Sequence, residues 1–227
     1  MTWVLFDWAG TLAFAVSGAM VGLSRRMDIF GVTVLALLTA VGGGMVRDVL
    51  AGVTPPVALT EPTDLLLSVA TAVIVSCVYA AVSIDRKQRH TMTLLYELSD
   101  TIGLASFTVT GTLRGLTLGT GDPYVFPMML GVITAVGGGM LRDLMAQRVP
   151  VVLRMDVYAV ASLAGAWLMC WSWPRWGADV SSWLCFLFVL LLRGCANYPG
   201  LGPGWYRAAV RTHSENSAFL QALGEVL

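Results

Sequence analysis

Two ten-residue stretches hold the residues of this chain best suited to contact an ion or a small polar solute inside an apolar protein. They read TAVGGGMVRD at 39–48 and TAVGGGMLRD at 134–143 and differ only in Val against Leu. Three successive glycines cost roughly 1 kcal/mol each relative to alanine in a helix, so each triplet needs a reason. One reason is close packing of helix backbones, and the other is a bend or break that frees carbonyls to line a polar cavity. The glycines are Gly42, Gly43, Gly44, Gly137, Gly138 and Gly139.

Each triplet is followed, about one helical turn later, by an arginine and an aspartate. The two pairs are Arg47 with Asp48 and Arg142 with Asp143. An unpaired charge inside a membrane costs several kcal/mol, so these side chains need partners or water. We expect Asp7 to pair with Arg47 at one end of the protein and Asp100 to pair with Arg142 at the other. Such ion pairs either staple helices together or line and gate a pathway, and the sequence leaves both roles open.

Hydroxyl groups and one further arginine lie close to other glycines in the first and fourth apolar runs. Ser17, Thr108 and Thr110 either coordinate a cation or donate to backbone carbonyls four residues earlier. Arg114 has no counterpart in the first half of the chain, where Val21 occupies the matching position. It either sets the electrostatics of a pathway or extends its charge to the membrane surface.

Composition identifies the class of protein. Of the 227 residues, 56% are hydrophobic and only 12% are charged, far from the roughly 25% charged of soluble domains. The formal net charge is zero and the basic residues are scattered, which gives no indication of nucleic-acid binding. This is the composition of a membrane protein surrounded by lipid.

Nothing in the chain suggests a cofactor, a resident metal or an enzyme. The four cysteines show no metal-binding spacing, and only two histidines are present, neither of them in an apolar run. The carboxylates in apolar runs each lie near an arginine, so no nucleophile and base can be paired. We expect a protein that is not an enzyme.

Apolar runs near the roughly 20 residues of a membrane-crossing helix predict seven spans in a single domain, 1–227. Both triplets fall near the middle of a span, which favours the break over the packing role. The polar end of the chain, 199–227, is predicted to be an exposed tail. The spans are 4–23, 30–51, 63–84, 96–118, 124–146, 156–173 and 181–198.

The first three spans are repeated by the next three. The glycine motifs match at a shift of 95, and DWAGTLAFAVSGAMVG at 7–22 matches DTIGLASFTVTGTLRG at 100–115 at a shift of 93. Pro55 also matches Pro150. An odd number of spans forces the second copy into the membrane from the opposite side, which predicts inverted repeats at about 4–84 and 96–173. The seventh helix, about 181–198, has no partner.

Positive charges predict the orientation, because Lys and Arg accumulate in cytoplasmic loops. An N-terminus outside and a C-terminus in the cytoplasm place ten of the fourteen Lys and Arg residues in cytoplasmic segments. Tryptophans then gather near the outer surface, as in an interfacial aromatic belt. The ten basic residues are Arg25, Arg26, Arg86, Lys87, Arg89, Arg148, Arg154, Arg193, Arg207 and Arg211.

The twin GGGMVRD and GGGMLRD motifs, one in each repeat and followed by a seventh helix, resemble the prokaryotic branch of the trimeric intracellular cation channel family. The resemblance covers about residues 5–199. It implies a homotrimer in the plasma (inner) membrane of a bacterium or archaeon. It also implies an hourglass pore for potassium and sodium in each protomer, lined where the second and fifth spans bend at Gly42–Gly44 and Gly137–Gly139. Animal members hold a phosphoinositide with lysines, and the single lysine here, Lys87, does not support that property.

Two functions therefore remain open. The first is a monovalent cation channel in which carbonyls at the glycine triplets replace part of the ion's hydration shell. The second is a secondary transporter of a small zwitterion such as glycine, because broken helices in inverted repeats also form substrate sites. In both cases the partners are membrane lipid, copies of the same chain and the transported solute.

Overall fold

The computed structural model describes residues 2–81, 86–154 and 156–197, and these residues form helices joined by short loops. Strands are absent from this part of the chain. A short 3₁₀ helix lies at Val151–Leu153. The α-helices are α1 (Thr2–Ser24), α2 (Ile29–Leu50), α3 (Val57–Thr60), α4 (Thr63–Ala81), α5 (Arg86–Leu118), α6 (Val125–Met145) and α7 (Asp156–Asn197).

The last helix consists of two segments. Gly177 interrupts α7 with φ 73° and ψ −179°, a conformation that only glycine adopts readily. The segments 156–176 and 178–197 are the predicted sixth and seventh spans. Together with α1, α2, α4, α5 and α6 they give seven long helical segments, so the prediction of an all-α fold with two three-helix repeats and a seventh helix is confirmed.

Some predicted boundaries are wrong. Helix α5, which corresponds to the fourth predicted span, begins at Arg86 rather than near residue 96. The polar stretch 86–90 is therefore helical rather than a loop. The loop predicted at 174–179 shrinks to the one-residue interruption, and Pro174 lies inside the last turn before it. The predicted tail, 199–227, lies outside the described residues.

Length and composition make five of the described helices capable of crossing a membrane. They are α1, α2, α4, α6 and α7, and the apolar part of α7, Val157–Ala196, is long enough to cross twice. The mean hydropathy of α5 is lower than that of these five helices, because charged and hydroxyl side chains interrupt its apolar residues. It packs against α1, α6 and α7, and its hydroxyl residues Thr101, Ser106, Thr108, Thr110 and Thr112 are buried in the bundle.

The two repeats pack against each other about a pseudo-twofold axis. Helix α1 contacts its counterpart α5, and α2 contacts its counterpart α6. The rings of Phe14 and Phe107 meet edge-on, with centroids 5.2 Å apart, and each ring lies against the glycine of the opposite repeat, Gly103 and Gly10. A side chain at either glycine would collide with the ring. This reciprocal contact shows that the sequence repeat is a structural repeat.

The outer surface of the bundle is apolar. Only Ser68, Thr71 and Ala72 are buried in α4, and the large apolar side chains of that helix face outward. Trp3, Trp171, Trp176 and Trp183 are likewise exposed, and the last three lie near the Gly177 interruption. Exposed apolar helices of this length are the surface of a multi-pass membrane protein.

The loops hold two acidic helix caps. Asp28 accepts a hydrogen bond from the backbone N–H of Gly31 at the start of α2. Asp122 accepts from Tyr124 and Val125 before α6. The two N–H groups lower the pKa of the exposed Asp122 carboxyl, so its contribution to stability is present at neutral pH and is lost as acid protonates it.

Helices α2 and α6 end with the same turn. Val53 donates its N–H to the carbonyl of Asp48 at 2.8 Å, and Arg148 donates to that of Asp143 at 3.0 Å. This turn needs a left-handed residue, which is Gly52 (φ 72°) in the first repeat and Gln147 (φ 52°) in the second.

Candidate functional site

The glycine triplets lie in continuous helix. All six glycines have helical backbone, and the left-handed residues of α2 and α6 lie beyond their ends. A Cβ atom on Gly43 would collide with the carbonyl oxygen of Thr134, and one on Gly138 would collide with that of Thr39. Neither helix is therefore broken at its triplet. The middle glycines allow the backbones of α2 and α6 to touch, the role that small residues commonly play between helices in lipid.

The third glycine of each triplet has different surroundings. A Cβ on Gly44 would meet only the Arg47 guanidinium, 3.7 Å away. A Cβ on Gly139 would meet the Tyr158 hydroxyl at 3.2 Å and the Arg142 guanidinium at 3.6 Å. Each third glycine thus leaves room for the arginine that follows it in the motif.

A cavity of about 220 Å³ opens at the end of the bundle where α3 lies. It is enclosed by α1, α2, α3, α4, α5 and α6 and reaches Thr134 and Phe107 close to the pseudo-twofold axis. We refer to this cavity as the vestibule. Its lining residues are Trp3, Asp7, Thr11, Ala40, Val41, Gly44, Arg47, Asp48, Val57, Ala58, Glu61, Asp64, Phe107, Arg114 and Thr134.

Negative charge exceeds positive charge in the vestibule. Four carboxylates and two guanidiniums line it, which gives a formal charge of −2 when all are ionised. The expected pairing of Arg47 with Asp7 is wrong, because Arg47 binds the adjacent Asp48 with its Nε at 2.9 Å and its terminal nitrogen at 2.8 Å. Asp7 and Arg47 do lie in the same cavity. Asp48 also accepts the N–H of Val57 at 3.0 Å, which positions the start of α3.

A dense ionic cluster occupies the opposite end. Arg142 is completely buried and binds Asp100 at 2.7 Å, as the sequence predicts, and also Asp143 at 2.8 Å. Arg148 binds Asp143 at 2.6 Å, and Arg193 binds the second oxygen of Asp100 at 3.0 Å. We refer to these five residues as the Arg142 cluster. Asp143 further accepts the N–H of Val151 at 2.8 Å, matching the role of Asp48.

The hydrogen bonds from Val57 to Asp48 and from Val151 to Asp143 are equivalent in the two repeats. They correct the alignment of the residues that follow the glycine motifs. Val57 follows Pro56, and Val151 follows Pro150. Each proline precedes a short helix whose first N–H is held by the motif aspartate. Pro56, rather than Pro55, is therefore the structural equivalent of Pro150.

The hydroxyl residues occupy different positions. Ser17 accepts a hydrogen bond from the Arg142 guanidinium, so it belongs at the edge of the Arg142 cluster. Thr108 donates to the Leu104 carbonyl and meets the Ser162 hydroxyl at 2.8 Å. Thr110 is buried, and its hydroxyl has no hydrogen-bond partner within the described part of the chain. Arg114 lines the vestibule.

Two members of the Arg142 cluster are missing from the sequence prediction. Arg148 and Arg193 are counted there only as cytoplasmic charges, yet Arg193 is buried and stacks on Tyr158, 4.1 Å from the ring centroid. The signal for Arg193 is its position inside the predicted seventh span, 181–198, where a charge needs a partner. Its partner Asp100 lies 93 positions earlier in the chain, so the sequence gives no direct sign of the pairing.

The vestibule and the Arg142 cluster are equivalent places in the two repeats. The repeat shifts carry the vestibule residues Trp3, Asp7, Gly44, Arg47 and Asp48 onto Tyr96, Asp100, Gly139, Arg142 and Asp143. The first repeat therefore has open space, the vestibule, at this position. In the second repeat, the charged side chains of the Arg142 cluster fill the equivalent position.

Comparison with known proteins decides the family. The sequence model of a family described as glycine transporter matches the chain twice, over residues 4–80 and 97–174, once in each repeat. The chain belongs to this family. A UPF0126 membrane protein of Deinococcus radiodurans is 40% identical over 81% of this chain and 83% of its own length. The UPF0126 inner membrane protein YadS of Escherichia coli is 35% identical over 70% and 73%.

Solved structures of the same fold confirm the resemblance to trimeric intracellular cation channels. A prokaryotic TRIC channel crystallised in 0.5 M KCl has a TM-score of 0.78 and 31% identity, with 85% of this chain and 94% of that one covered. A TRIC orthologue from Rhodobacter sphaeroides has a TM-score of 0.77 and 34% identity, with 86% and 96% covered. This family member is a multi-pass protein of the inner membrane, and its structural neighbours are ion channels rather than enzymes.

Proposed function

We propose that the chain is a channel for monovalent cations, chiefly potassium and sodium, with a pathway in each protomer that begins in the vestibule and ends at the Arg142 cluster. The observation that carries the proposal is the charge of the vestibule, with four carboxylates against two guanidiniums. Excess negative charge in a narrow space with low-dielectric walls concentrates cations and repels anions. The similarity to solved TRIC cation channels supports the same function.

The pathway would run beside the third glycines rather than through a helix break. Gly44 lines the vestibule, and Gly139 occupies the equivalent position at the Arg142 cluster. Neither glycine carries a side chain that would narrow this space. The middle glycines, Gly43 and Gly138, would instead hold the two central helices together.

Current through purified protein in planar bilayers tests the proposal. Under a potassium chloride gradient, we expect a reversal potential close to the potassium equilibrium potential. Protein-free bilayers are the control. A reversal potential close to that of chloride, or no current at any voltage, would contradict the proposal.

A charge-neutral variant tests whether the vestibule provides the selectivity. We expect Asp64→Asn to lower the permeability of cations relative to anions, because it removes one of four carboxylates from the vestibule. Asp28→Asn is the matched control, since Asp28 lies at the start of α2, outside the vestibule, and asparagine retains the helix cap. Equal selectivity in both variants would show that ions do not pass Asp64.

One observation favours transport of a small zwitterion as a second candidate. The vestibule presents both carboxylates and guanidiniums, as expected of a site for a solute that carries both charges. The family description, glycine transporter, agrees with this function. Saturable glycine uptake into proteoliposomes without channel currents would favour the transporter over the channel.

We propose a homotrimer as the working assembly. A solved relative with 34% identity is described as a trimeric channel, and this bundle exposes large apolar side chains all around. Native mass spectrometry in detergent is expected to give the mass of three chains. A monomer as the largest species, with retained conductance, would contradict the trimer.

A further inference from the structure

The two ends of the proposed pathway differ although their motifs are the same. Arg47 and Asp48 border an open vestibule, whereas Arg142 and Asp143 lie in a filled cluster at the equivalent position of the other repeat. The repeated residues therefore cannot explain why one end is closed. Residues without a counterpart in the other repeat do distinguish the two ends.

Arg193 is such a residue, because it lies in the second segment of α7, the unrepeated seventh helix. Its guanidinium binds one oxygen of Asp100 at 3.0 Å, while Arg142 binds the other oxygen at 2.7 Å. The carboxylate of Asp100 thus joins the seventh helix to the arginine of the glycine motif. In the first repeat, Asp7 occupies the position of Asp100, and Arg47 binds Asp48 instead of Asp7.

The same contact determines the sign of the charge at this end. The Arg142 cluster contains three guanidiniums and two carboxylates, a formal charge of +1 in a region where Arg142, Asp100 and Asp143 are almost completely buried. A cation arriving from the vestibule meets this positive charge in a poorly hydrated space. Arg148 contributes less to the barrier, because it binds Asp143 rather than Asp100 and its side chain is 25% exposed.

We infer that Arg193 is a positioning residue that holds Arg142, through Asp100, in the closed arrangement, so that the seventh helix determines which end of the pathway is shut. This inference rests on the proposed channel function. Movement of the second segment of α7 away from Asp100 would release one of the constraints on Arg142 and remove one positive charge from the barrier. The seventh helix is then a regulatory element as well as a packing element.

Single-channel recording of Arg193→Gln tests the inference. We expect the open probability to rise on the order of tenfold at unchanged unit conductance, which corresponds to about 1.4 kcal/mol. Arg193→Lys keeps a cation within reach of Asp100 and is expected to stay near the wild type. The matched control is Arg175→Gln, an exposed arginine near the Gly177 interruption that contacts Trp171 rather than the cluster. An unchanged or lower open probability in Arg193→Gln would overturn the inference.

A second measurement is independent of ionic current. Val21 is the buried repeat counterpart of the vestibule residue Arg114, so it marks the equivalent depth in the closed half. With the exposed Cys77 and Cys195 replaced by serine, a cysteine introduced as Val21→Cys reports access of a charged, water-soluble thiol reagent. We expect Arg193→Gln to accelerate labelling roughly tenfold, in proportion to the population of the open state, and Arg175→Gln to leave it unchanged.

The two readouts separate failure of the inference from failure of the proposed function. Equal labelling rates with and without Arg193 would overturn the inference, whether or not current flows. Faster labelling in a protein that carries no current in any variant would support the role of Arg193 and reject the channel. A purely structural role of Arg193 would lower thermal stability without raising either the labelling rate or the open probability.

Discussion

At the scale of single residues, neighbouring glycines in one motif have different roles. The middle glycines allow α2 and α6 to touch, and the third glycines leave room beside the motif arginines. The sequence identifies all six as unusual and leaves packing and a helix break open. It cannot separate the two, because the difference depends on the distance to a backbone carbonyl about ninety positions away. For the same reason, the sequence predicts both an Arg142–Asp100 pair and an Arg47–Asp7 pair, although only the first one forms.

Alanine substitutions distinguish the middle from the third glycine. Gly43→Ala places a methyl group against the Thr134 carbonyl and should destabilise the protein by about 1–3 kcal/mol. Gly44→Ala is the matched control, because its new methyl group meets only a flexible guanidinium at 3.7 Å and the helix gains up to about 1 kcal/mol of propensity. Thermal unfolding in detergent measures both. A break at the triplet would predict similar effects at the two positions.

Removing the arginine of either motif should affect the two repeats unequally. Arg142→Gln leaves Asp143 and Asp100 in a fully buried environment with one fewer cation and should cost about 3 kcal/mol or more. Arg47→Gln leaves Asp48 with its hydrogen bond from Val57 and beside a cavity that water can enter, so a smaller loss of about 1–2 kcal/mol is expected. Denaturant unfolding of the two variants compares the losses. Equal losses would mean that the two ends are equally closed.

At the scale of helices, hydrophobic runs predict the number and order of the spans well. The largest error is the start of α5, at Arg86 instead of near residue 96, because polar residues can continue a helix beyond an apolar run. The junction within α7 is also shorter than predicted, since one left-handed glycine turns the chain where a six-residue loop is expected. Apolar patterning detects the lipid-facing part of a helix and gives little information about the parts beyond it.

The turns that end α2 and α6 permit a test within the repeat. Gln147 has the left-handed conformation that Gly52 has at the equivalent turn of the first repeat. Gln147→Gly should therefore stabilise the protein by about 1 kcal/mol, and Gly52→Gln should destabilise it by a similar amount. Both positions lie outside the vestibule and the Arg142 cluster, so thermal shifts of opposite sign are expected without a change in conductance. A loss of stability in Gln147→Gly would indicate that its side chain makes a contact more valuable than the strain.

At the scale of the whole molecule, an internally repeated chain forms a helical bundle with opposite charge at its two ends. With every group ionised, the vestibule has a formal charge of −2 and the Arg142 cluster a formal charge of +1. The positive charge of the cluster comes from residues that have no counterpart in the first repeat. The main ones are Arg148 and Arg193. The repeat itself can be predicted from the sequence, since it is written twice. The asymmetry cannot, because it depends on how the second segment of α7 returns along the bundle to reach Asp100.

The charge at the mouth of the vestibule should act through space and therefore depend on salt. Glu61 lines the vestibule and is exposed, so Glu61→Gln removes one negative charge with little effect on packing. At about 0.05 M potassium chloride, where the Debye length exceeds 10 Å, we expect the conductance of cations that enter from the vestibule side to fall to roughly half. At about 1 M the Debye length is about 3 Å, and the variant and the wild type should conduct equally. Glu97→Gln, an exposed carboxylate of α5 one helical turn before Asp100, is the control and should leave the low-salt conductance from the vestibule side unchanged. A deficit in Glu61→Gln that persists at 1 M would mean that Glu61 shapes the pathway by direct contact, and an absent deficit at low salt would mean that ions do not enter through the vestibule.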